Sequence, residues 1–238
     1  MDDTELFNTA RYPTPARPLL GMTLLVVEDS RFTSEALRLM CLHSGARIRR
    51  ADTLIAAERH LKVYCPTVIL IDLGLPDGSG LDLIHRLSRH SPRIEVILAI
   101  SGDDGMERRS LEQGADGFLA KPILSLASFQ ETILHHLPAA QRPMDPRLVN
   151  EAEITPDPIS YHEDLQHAAS LLDGRPDERT LDYVAQFLTG LGRSANDGAV
   201  RDAGQTLGIT RMRRASPEKA LLALRGLLQQ RLAAAPLF

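Results

Sequence analysis

Short apolar runs alternate with amphipathic stretches through the first half of the chain. The runs are four or five residues long with polar residues on both sides, which is typical of strands buried on both faces of a sheet. Between them, apolar residues recur at three- and four-residue spacing, as in helices with one buried face. The pattern predicts an α/β fold with a five-stranded, doubly wound parallel sheet. The predicted strands are 23–27, 46–50 (the weakest), 67–71, 96–100 and 117–120.

The second half of the chain has helical periodicity alone. Apolar residues recur at helical spacing over 165–172, 181–191 and 200–207. A last helix is predicted to begin with Ser216 as its N-cap and Pro217 at its first position, and it continues with leucines as far as Leu232. Four helices joined by short turns predict a small all-α helical bundle.

Two proline-containing breaks divide the chain into domains. Residues 1–21 are predicted to be a flexible leader, and residues 139–158 an interdomain linker. The blocks that remain, 22–138 and 159–238, both have ordinary domain size.

The composition indicates a folded protein without a membrane anchor. Of the 238 residues, 43% are hydrophobic and 24% are charged, which excludes wholesale disorder. The start of the chain is acidic and lacks the pattern of a secretory signal, and no apolar run approaches the length of a bilayer span. Two cysteines cannot build a disulfide framework. We therefore expect a cytoplasmic protein with no membrane partner.

The charge is unevenly distributed along the chain. The formal net charge of −4 argues against a globally basic nucleic-acid binder. Residues 199–238, however, contain seven Lys or Arg residues against two acidic residues. A polyanionic partner for this last segment therefore stays open.

Polar residues follow the predicted strands in an unusual combination. Glu28 and Asp29 come after the first strand, Asp72 after the third, Ser101 after the fourth, and Lys121 after the fifth. In an open parallel sheet these positions meet at the carboxyl edge, where ligands bind. Carboxylate oxygens are the ligands that Mg²⁺ prefers, and a lysine and a hydroxyl suit the stabilisation of a phosphoryl group. The set therefore predicts a magnesium site with phosphoryl chemistry.

These motifs resemble the receiver domain of two-component response regulators, which has a flavodoxin-like fold. The resemblance covers about residues 22–138 and includes Ile71-Asp72-Leu73-Gly74-Leu75-Pro76 as well as the Lys121-Pro122 pair. It implies that Asp72 accepts a phosphoryl group from a histidine kinase or a histidine phosphotransfer protein. It also implies that the chain catalyses only its own phosphorylation and dephosphorylation.

The resemblance also assigns the remaining site residues. Glu28, Asp29, Asp72 and the backbone carbonyl of Gly74 would hold Mg²⁺, and Lys121 would pair with a phosphate oxygen. The switch residues would be Ser101, which turns toward the phosphoryl group, and Phe118. Phosphorylation is then expected to alter the face around the fourth and fifth helices of the domain, and through it the docking of the helical domain or dimerisation.

Two interpretations of the helical domain stay open. The segment Ala203–Arg211 resembles the turn of a helix-turn-helix, after which Arg211, Arg213 and Arg214 could contact DNA. The other interpretation is a module for protein interaction or homodimerisation. Residues 199–208 are faintly similar to the phosphotransfer helix of histidine phosphotransfer domains, with Gln205 in place of the histidine. We favour the interaction module and keep DNA binding as the alternative.

Overall fold

A five-stranded parallel sheet forms the first half of the chain in the computed structural model, which describes residues 12–144 and 153–234. The strand order is β2-β1-β3-β6-β7, and all four pairings are parallel. A two-stranded antiparallel hairpin, β4 and β5, follows β3. The strands are β1 Thr23–Val27, β2 Arg47–Ala51, β3 Val68–Asp72, β4 Gly74–Leu75, β5 Gly78–Ser79, β6 Val96–Ser101 and β7 Gly117–Ala120.

Five helices cover both faces of this sheet, so its central strands are buried on both sides. Leu37 of α1 and Phe129 of α5 pack on one face, and Ala57 of α2 and Leu83 of α3 pack on the other. This arrangement confirms the predicted doubly wound α/β fold. The helices are α1 Arg31–His43, α2 Leu54–Leu61, α3 Gly80–Ser88, α4 Met106–Glu112 and α5 Leu126–His136. We call the part of the chain from β1 to α5 the sheet domain.

Four further helices form an all-α domain, as predicted, and we call them the bundle. They are α6 Pro158–Leu171, α7 Glu178–Ser194, α8 Gly198–Met212 and α9 Glu218–Ala233. Aspartates accept hydrogen bonds from the free N–H groups at the starts of the first three of these helices. Their apolar stripes meet in a common core that includes Leu165, Leu188, Leu207 and Leu224.

Two predictions about the bundle are wrong in detail. The segment 203–211 lies inside the continuous helix α8, so the predicted helix-turn-helix turn is not formed there. Helix α9 begins at Glu218 with Pro217 as its N-cap, which places both Ser216 and Pro217 one position earlier than predicted.

Both predicted breaks contain residues that pack on the sheet domain. Leu19 in the predicted leader is fully buried, and Ile154 in the predicted linker is nearly so. The linker also contains a 3-10 helix at Ala139–Gln141, ahead of α6. Residues 1–11, 145–152 and 235–238 lie outside the described residues, and the predicted domain boundaries stay predictions.

The bundle docks on the sheet domain at its carboxyl edge. Helix α1 contacts α6 and α7, and β4 contacts α7. Phe32, the second residue of α1, is buried within the core of the bundle, where its ring meets that of Tyr161 edge-on at a centroid distance of 5.8 Å. The two parts of the chain therefore share an apolar contact at Phe32.

Candidate functional site

Three carboxylates meet at the carboxyl edge of the sheet, where the sequence predicts them. β1 and β3 are adjacent and in register, with Val27 opposite Ile71. Glu28, Asp29 and Asp72 therefore lie side by side, and their oxygen atoms come within 4.8 Å of one another. The side chains of Glu28 and Asp72 are buried and that of Asp29 is half-buried.

Lys121 supplies a positive charge to this cluster from the end of β7. Its Nζ lies 2.6 Å from Glu28 Oε2 and 3.1 Å from Asp72 Oδ2, and its side chain is 8% exposed. Burial alone would lower the pKa of Lys121, but Asp72 and Glu28 outweigh it and raise the pKa above its usual value. The ammonium group is therefore retained. The Lys121–Pro122 peptide bond is cis.

Burial makes the acid pair costly to ionise. It raises the pKa of Asp29 to about 7, and the charge of Asp72 adds to the effect. Burial also raises the pKa of Glu28 well above its usual value, which Lys121 opposes. Crowded carboxylates with raised pKa values are stabilised by a cation placed among them.

The donor set fits a hard divalent cation. It offers carboxylate oxygens from two adjacent strand ends, and these are the ligands that Mg²⁺ takes. Gly74, whose carbonyl is the fourth predicted ligand, lies in β4, two residues beyond Asp72. A Cβ at this position would meet the side-chain amide of Gln186 from the bundle, so α7 packs close to β4 here.

Ser101 lies next to the cluster, where its backbone carbonyl accepts a hydrogen bond from Lys121 N–H at 2.8 Å, but its side chain forms no hydrogen bond to the three carboxylates among the described residues. Ser101 is buried at the end of β6, and its Oγ accepts a hydrogen bond from the N–H of Asp103 at 3.1 Å. Phe118 in β7 is partly buried against the core on the α3 face of the sheet. The structure therefore places both predicted switch residues on strands next to the site.

The bundle contributes site residues that the sequence analysis missed. The Tyr183 hydroxyl donates a hydrogen bond to Asp29 Oδ2, and Arg193 donates one to the carbonyl oxygen of Gly102. Burial and the charge of Asp29 raise the pKa of Tyr183, so the phenol keeps its proton. A signal existed in the sequence: Tyr183 lies four residues before Phe187 on the buried side of α7, where a hydroxyl needs a partner.

Of the three arginines proposed for DNA, Arg211 lines the same cavity as the carboxylate cluster. Arg211 is engaged with acids of the bundle, at 2.8 Å from Asp182 and 3.3 Å from Glu178. Arg213 and Arg214 are exposed at and just beyond the end of α8. The described helices include none with the length and apolar character needed to cross a bilayer.

A family model matches the sheet domain. Residues 24–133 match the model described as the response regulator receiver domain. Among curated proteins, the KDP operon transcriptional regulatory protein KdpE of Escherichia coli (strain K12) is 32% identical over 100 residues, which are 42% of this chain and 44% of that protein. The probable transcriptional regulatory protein TcrX of Mycobacterium tuberculosis is 33% identical over 118 residues, or 48% and 47% of the two chains. The chain thus spans about half the length of these relatives.

Solved structures give similar matches. A response regulator from Chloroflexus aurantiacus is 27% identical with a TM-score of 0.46, and the match covers 48% of this chain and 96% of that one. The receiver domain of the sensor histidine kinase PA1611 from Pseudomonas aeruginosa, solved with a coordinated magnesium ion, is 25% identical with a TM-score of 0.44 over the same shares.

Proposed function

Residues 24–133 of this chain form a response regulator receiver domain, and from that premise we propose that the protein is a response regulator phosphorylated on Asp72. The donor is the phosphohistidine of a histidine kinase or of a histidine phosphotransfer protein. The observation that carries the proposal is the meeting of Glu28, Asp29 and Asp72 around the ammonium group of Lys121. This combination suits phosphoryl transfer, in which positioning and charge neutralisation supply most of the catalysis.

The transfer step uses the carboxylate of Asp72 as the nucleophile. One oxygen of Asp72 forms a bond to phosphorus while the bond from phosphorus to the donor nitrogen breaks, and the electron pair returns to the imidazole. Lys121 lies 3.1 Å from Asp72 Oδ2, so its ammonium group can pair with an oxygen of the transferred phosphoryl group. Hydrolysis of the resulting acyl phosphate by water restores Asp72.

We propose that Glu28, Asp29, Asp72 and the carbonyl of Gly74 hold Mg²⁺. When bound, this ion neutralises the charge of the phosphoryl oxygens during transfer. The close approach of the carboxylate oxygens and the raised pKa of Asp29 support the assignment, because both favour a cation at this edge.

Ser101 and Phe118 are proposed to relay the modification. A phosphoryl group on Asp72 offers acceptor oxygens to the Ser101 hydroxyl, which now accepts a hydrogen bond from Asp103 N–H within its own loop. Movement of Ser101 toward the phosphoryl group would vacate space that the neighbouring Phe118 can enter. Since Phe118 has no hydroxyl, packing alone would hold it there.

We propose that the bundle is a protein-interaction or dimerisation module and that the protein has no catalytic activity beyond its own phosphorylation and dephosphorylation. Four helices around one apolar core support this output. Leu222 is 75% exposed on α9, which offers an apolar contact for a partner or a second copy. Cytoplasmic location is part of the same proposal.

DNA binding through Arg211, Arg213 and Arg214 is the second candidate output. The names of the curated relatives, which are transcriptional regulators, favour it. The pairing of Arg211 with Asp182 and Glu178 leaves Arg213 and Arg214 as the more accessible charges of the three. The salt dependence of a gel shift with nonspecific DNA separates the two outputs, because phosphate contacts release counterions.

The assignment of Asp72 predicts the behaviour of a single variant. Labelling of the full chain by a radioactive small acyl phosphate should require Mg²⁺ and should be lost in Asp72→Asn, which removes the nucleophilic carboxylate. The control is Asp82→Asn, an equivalent change at an exposed position in the first turn of α3 that should keep full labelling. Magnesium-dependent labelling that persists in Asp72→Asn would contradict the assignment.

A further inference from the structure

The bundle lies directly over the proposed phosphorylation site. Tyr183 of α7 donates its hydroxyl hydrogen to Asp29 Oδ2, and Asp29 is one of the three carboxylates of the proposed magnesium site. This hydroxyl stabilises the charge of the Asp29 carboxylate, so it competes with a metal ion for the interaction with that charge. This contact joins residues 154 positions apart in the sequence, so it exists only while the bundle is docked.

A second contact holds the loop that follows β6. Arg193, near the end of α7, donates a hydrogen bond to the carbonyl oxygen of Gly102. Gly102 follows the proposed switch residue Ser101 directly in the chain. Movement of Ser101 toward Asp72 would pull this loop, and the docked bundle restrains it.

A third contact fixes the bundle to the start of α1. Asp164 of α6 is 1% exposed and accepts hydrogen bonds from Ser30 Oγ at 2.8 Å, Arg31 N at 2.9 Å and Phe32 N at 3.1 Å. The carboxylate thus satisfies N–H groups at the positive end of a 13-residue helix. The start of α1 follows Glu28 and Asp29 immediately, so this attachment holds the bundle at the site.

Space remains beneath the docked bundle. A cavity of about 780 Å³ is lined by Asp72 and Lys121 on one side and by Gln186 and Gln205 of the bundle on the other. A small phosphodonor fits this volume. A protein that presents a phosphohistidine must instead bring a folded surface to Asp72, where α7 already lies against β4 and α1.

We propose that the bundle is a built-in inhibitor of the phosphorylation site, acting through the bond from Tyr183 to Asp29 and the attachment of Asp164 to α1. The proposal rests on the proposed function of Asp72. Binding of Mg²⁺ and undocking of the bundle are then coupled, and each promotes the other. Phosphorylation by a protein donor requires the open form, whereas a small acyl phosphate can react in either form.

The test is Tyr183→Phe in the full chain, which keeps the ring against Phe187 and removes only the hydroxyl. Calorimetric titration with Mg²⁺ should show binding roughly three- to tenfold tighter than in the wild type, because a hydrogen bond to a carboxylate no longer competes. The matched control is Tyr161→Phe, whose hydroxyl bonds to Asp197 inside the bundle and should leave Mg²⁺ affinity unchanged. Unchanged or weaker Mg²⁺ binding in Tyr183→Phe overturns the proposal.

Asp164→Asn provides an independent measurement on docking. Loss of the charge should loosen the attachment to α1, so amide hydrogen exchange should become at least several-fold faster at the start of α1 while the core strand β3 is unaffected. Exchange at α1 that stays as slow as in the wild type overturns the inhibitory role. Failure of the proposed function would look different, because the wild-type chain would then take no label from an acyl phosphate with Mg²⁺ present.

Discussion

Asp197 caps the start of α8 and connects it to the last turn of α9. Its carboxylate accepts hydrogen bonds from Val200 N–H, from the Tyr161 hydroxyl at 3.0 Å and from Arg231 Nε at 2.7 Å. The hydrogen bond from Arg231 is the largest influence, and it lowers the pKa of Asp197 to about 2. One charge thereby connects three of the four helices of the bundle.

The lowered pKa of Asp197 predicts how stability depends on pH. Since the folded value is about 2 against 3.8 in the unfolded chain, the contribution of Asp197 is full above about pH 4 and is lost as the pH falls toward 2. Asp197→Asn should lower the free energy of unfolding by about 1 kcal/mol at pH 7, because partial exposure screens the pair. It should also reduce the loss of stability that the wild type shows between pH 4 and pH 2. Denaturant unfolding at several pH values measures both effects.

The control for this prediction is Asp202→Asn. Asp202 is exposed and pairs with its neighbour Arg201 on the surface of α8. Its loss should leave the stability within about 0.5 kcal/mol of the wild type and should leave the pH profile unchanged. An equal loss of stability in both variants would contradict the role given to Asp197.

The sequence predicted the site residues that follow strands, but it did not reveal their partner from the bundle. Glu28, Asp72 and Lys121 meet because the ends of parallel strands must meet, so the strand pattern was sufficient. Tyr183 reaches Asp29 only through the docking of two domains, and no local periodicity encodes that geometry. Its position beside Phe187 indicated burial without identifying the acceptor.

At the scale of elements, α7 and α8 have the most extensive contact of any helix pair described, and two glycines allow their close packing. A Cβ on Gly204 would lie 2.8 Å from both the N and the Oγ1 of Thr189, and one on Gly192 would meet the backbone of Arg201. Backbone atoms cannot give way as flexible side chains do. The absence of a side chain at these positions therefore sets the distance between the two helices.

This close approach predicts opposite effects for two Gly→Ala changes. Gly204→Ala should lower the free energy of unfolding by about 1–2 kcal/mol, because the strain of the added methyl group exceeds the gain in helix propensity. Gly226→Ala in α9 is the matched control, since a Cβ there meets nothing within 4 Å. It should raise the free energy of unfolding by about 0.5–1 kcal/mol. Denaturant titration of both variants checks the signs, and stabilisation by Gly204→Ala would contradict the packing argument.

The segment with the predicted helix-turn-helix turn lies in α8. The turn was expected from the resemblance of residues 203–211, which include Gly204 and Gly208, to a helix-turn-helix. In the structure they lie in α8, where Gly204 admits the neighbouring backbone and Gly208 faces Ala185. The sheet strands were easier to predict, because a short apolar run with polar residues on both sides indicates a strand that is buried on both faces. The distance between two helices depends on both partners, so the apolar periodicity of one helix does not predict it.

At the scale of the whole molecule, Phe32 connects the sheet domain to the bundle through packing. It belongs to α1 by sequence, yet it is buried among apolar residues of the bundle. The sequence predicted that phosphorylation acts through the face around α4 and α5. The described contacts of the bundle lie at α1 and β4, at the site itself, and the predicted effect of phosphorylation on the other face stays a prediction.

Removal of the Phe32 ring should weaken the packing of the sheet domain against the bundle. Phe32→Ala should lower the free energy of unfolding by about 3 kcal/mol, since it leaves a cavity where the two domains meet. It should also separate the transitions of the two domains, as followed by hydrogen exchange during denaturant titration. Leu42→Ala, at an exposed position on the same helix, should change stability by less than about 0.5 kcal/mol. A single, undiminished transition in Phe32→Ala would show that the domains are joined elsewhere.

The burial of Phe32 also sets how long a signal can persist. When the domains part, its ring and the bundle residues that pack against it face water, which is unfavourable in proportion to the area exposed. The open form is therefore short-lived unless a second surface covers the patch. The duration of the response would then depend on the abundance of that second surface as much as on the chemical lifetime of the aspartyl phosphate. The output would therefore depend on the concentration of the target as well as on the activity of the kinase.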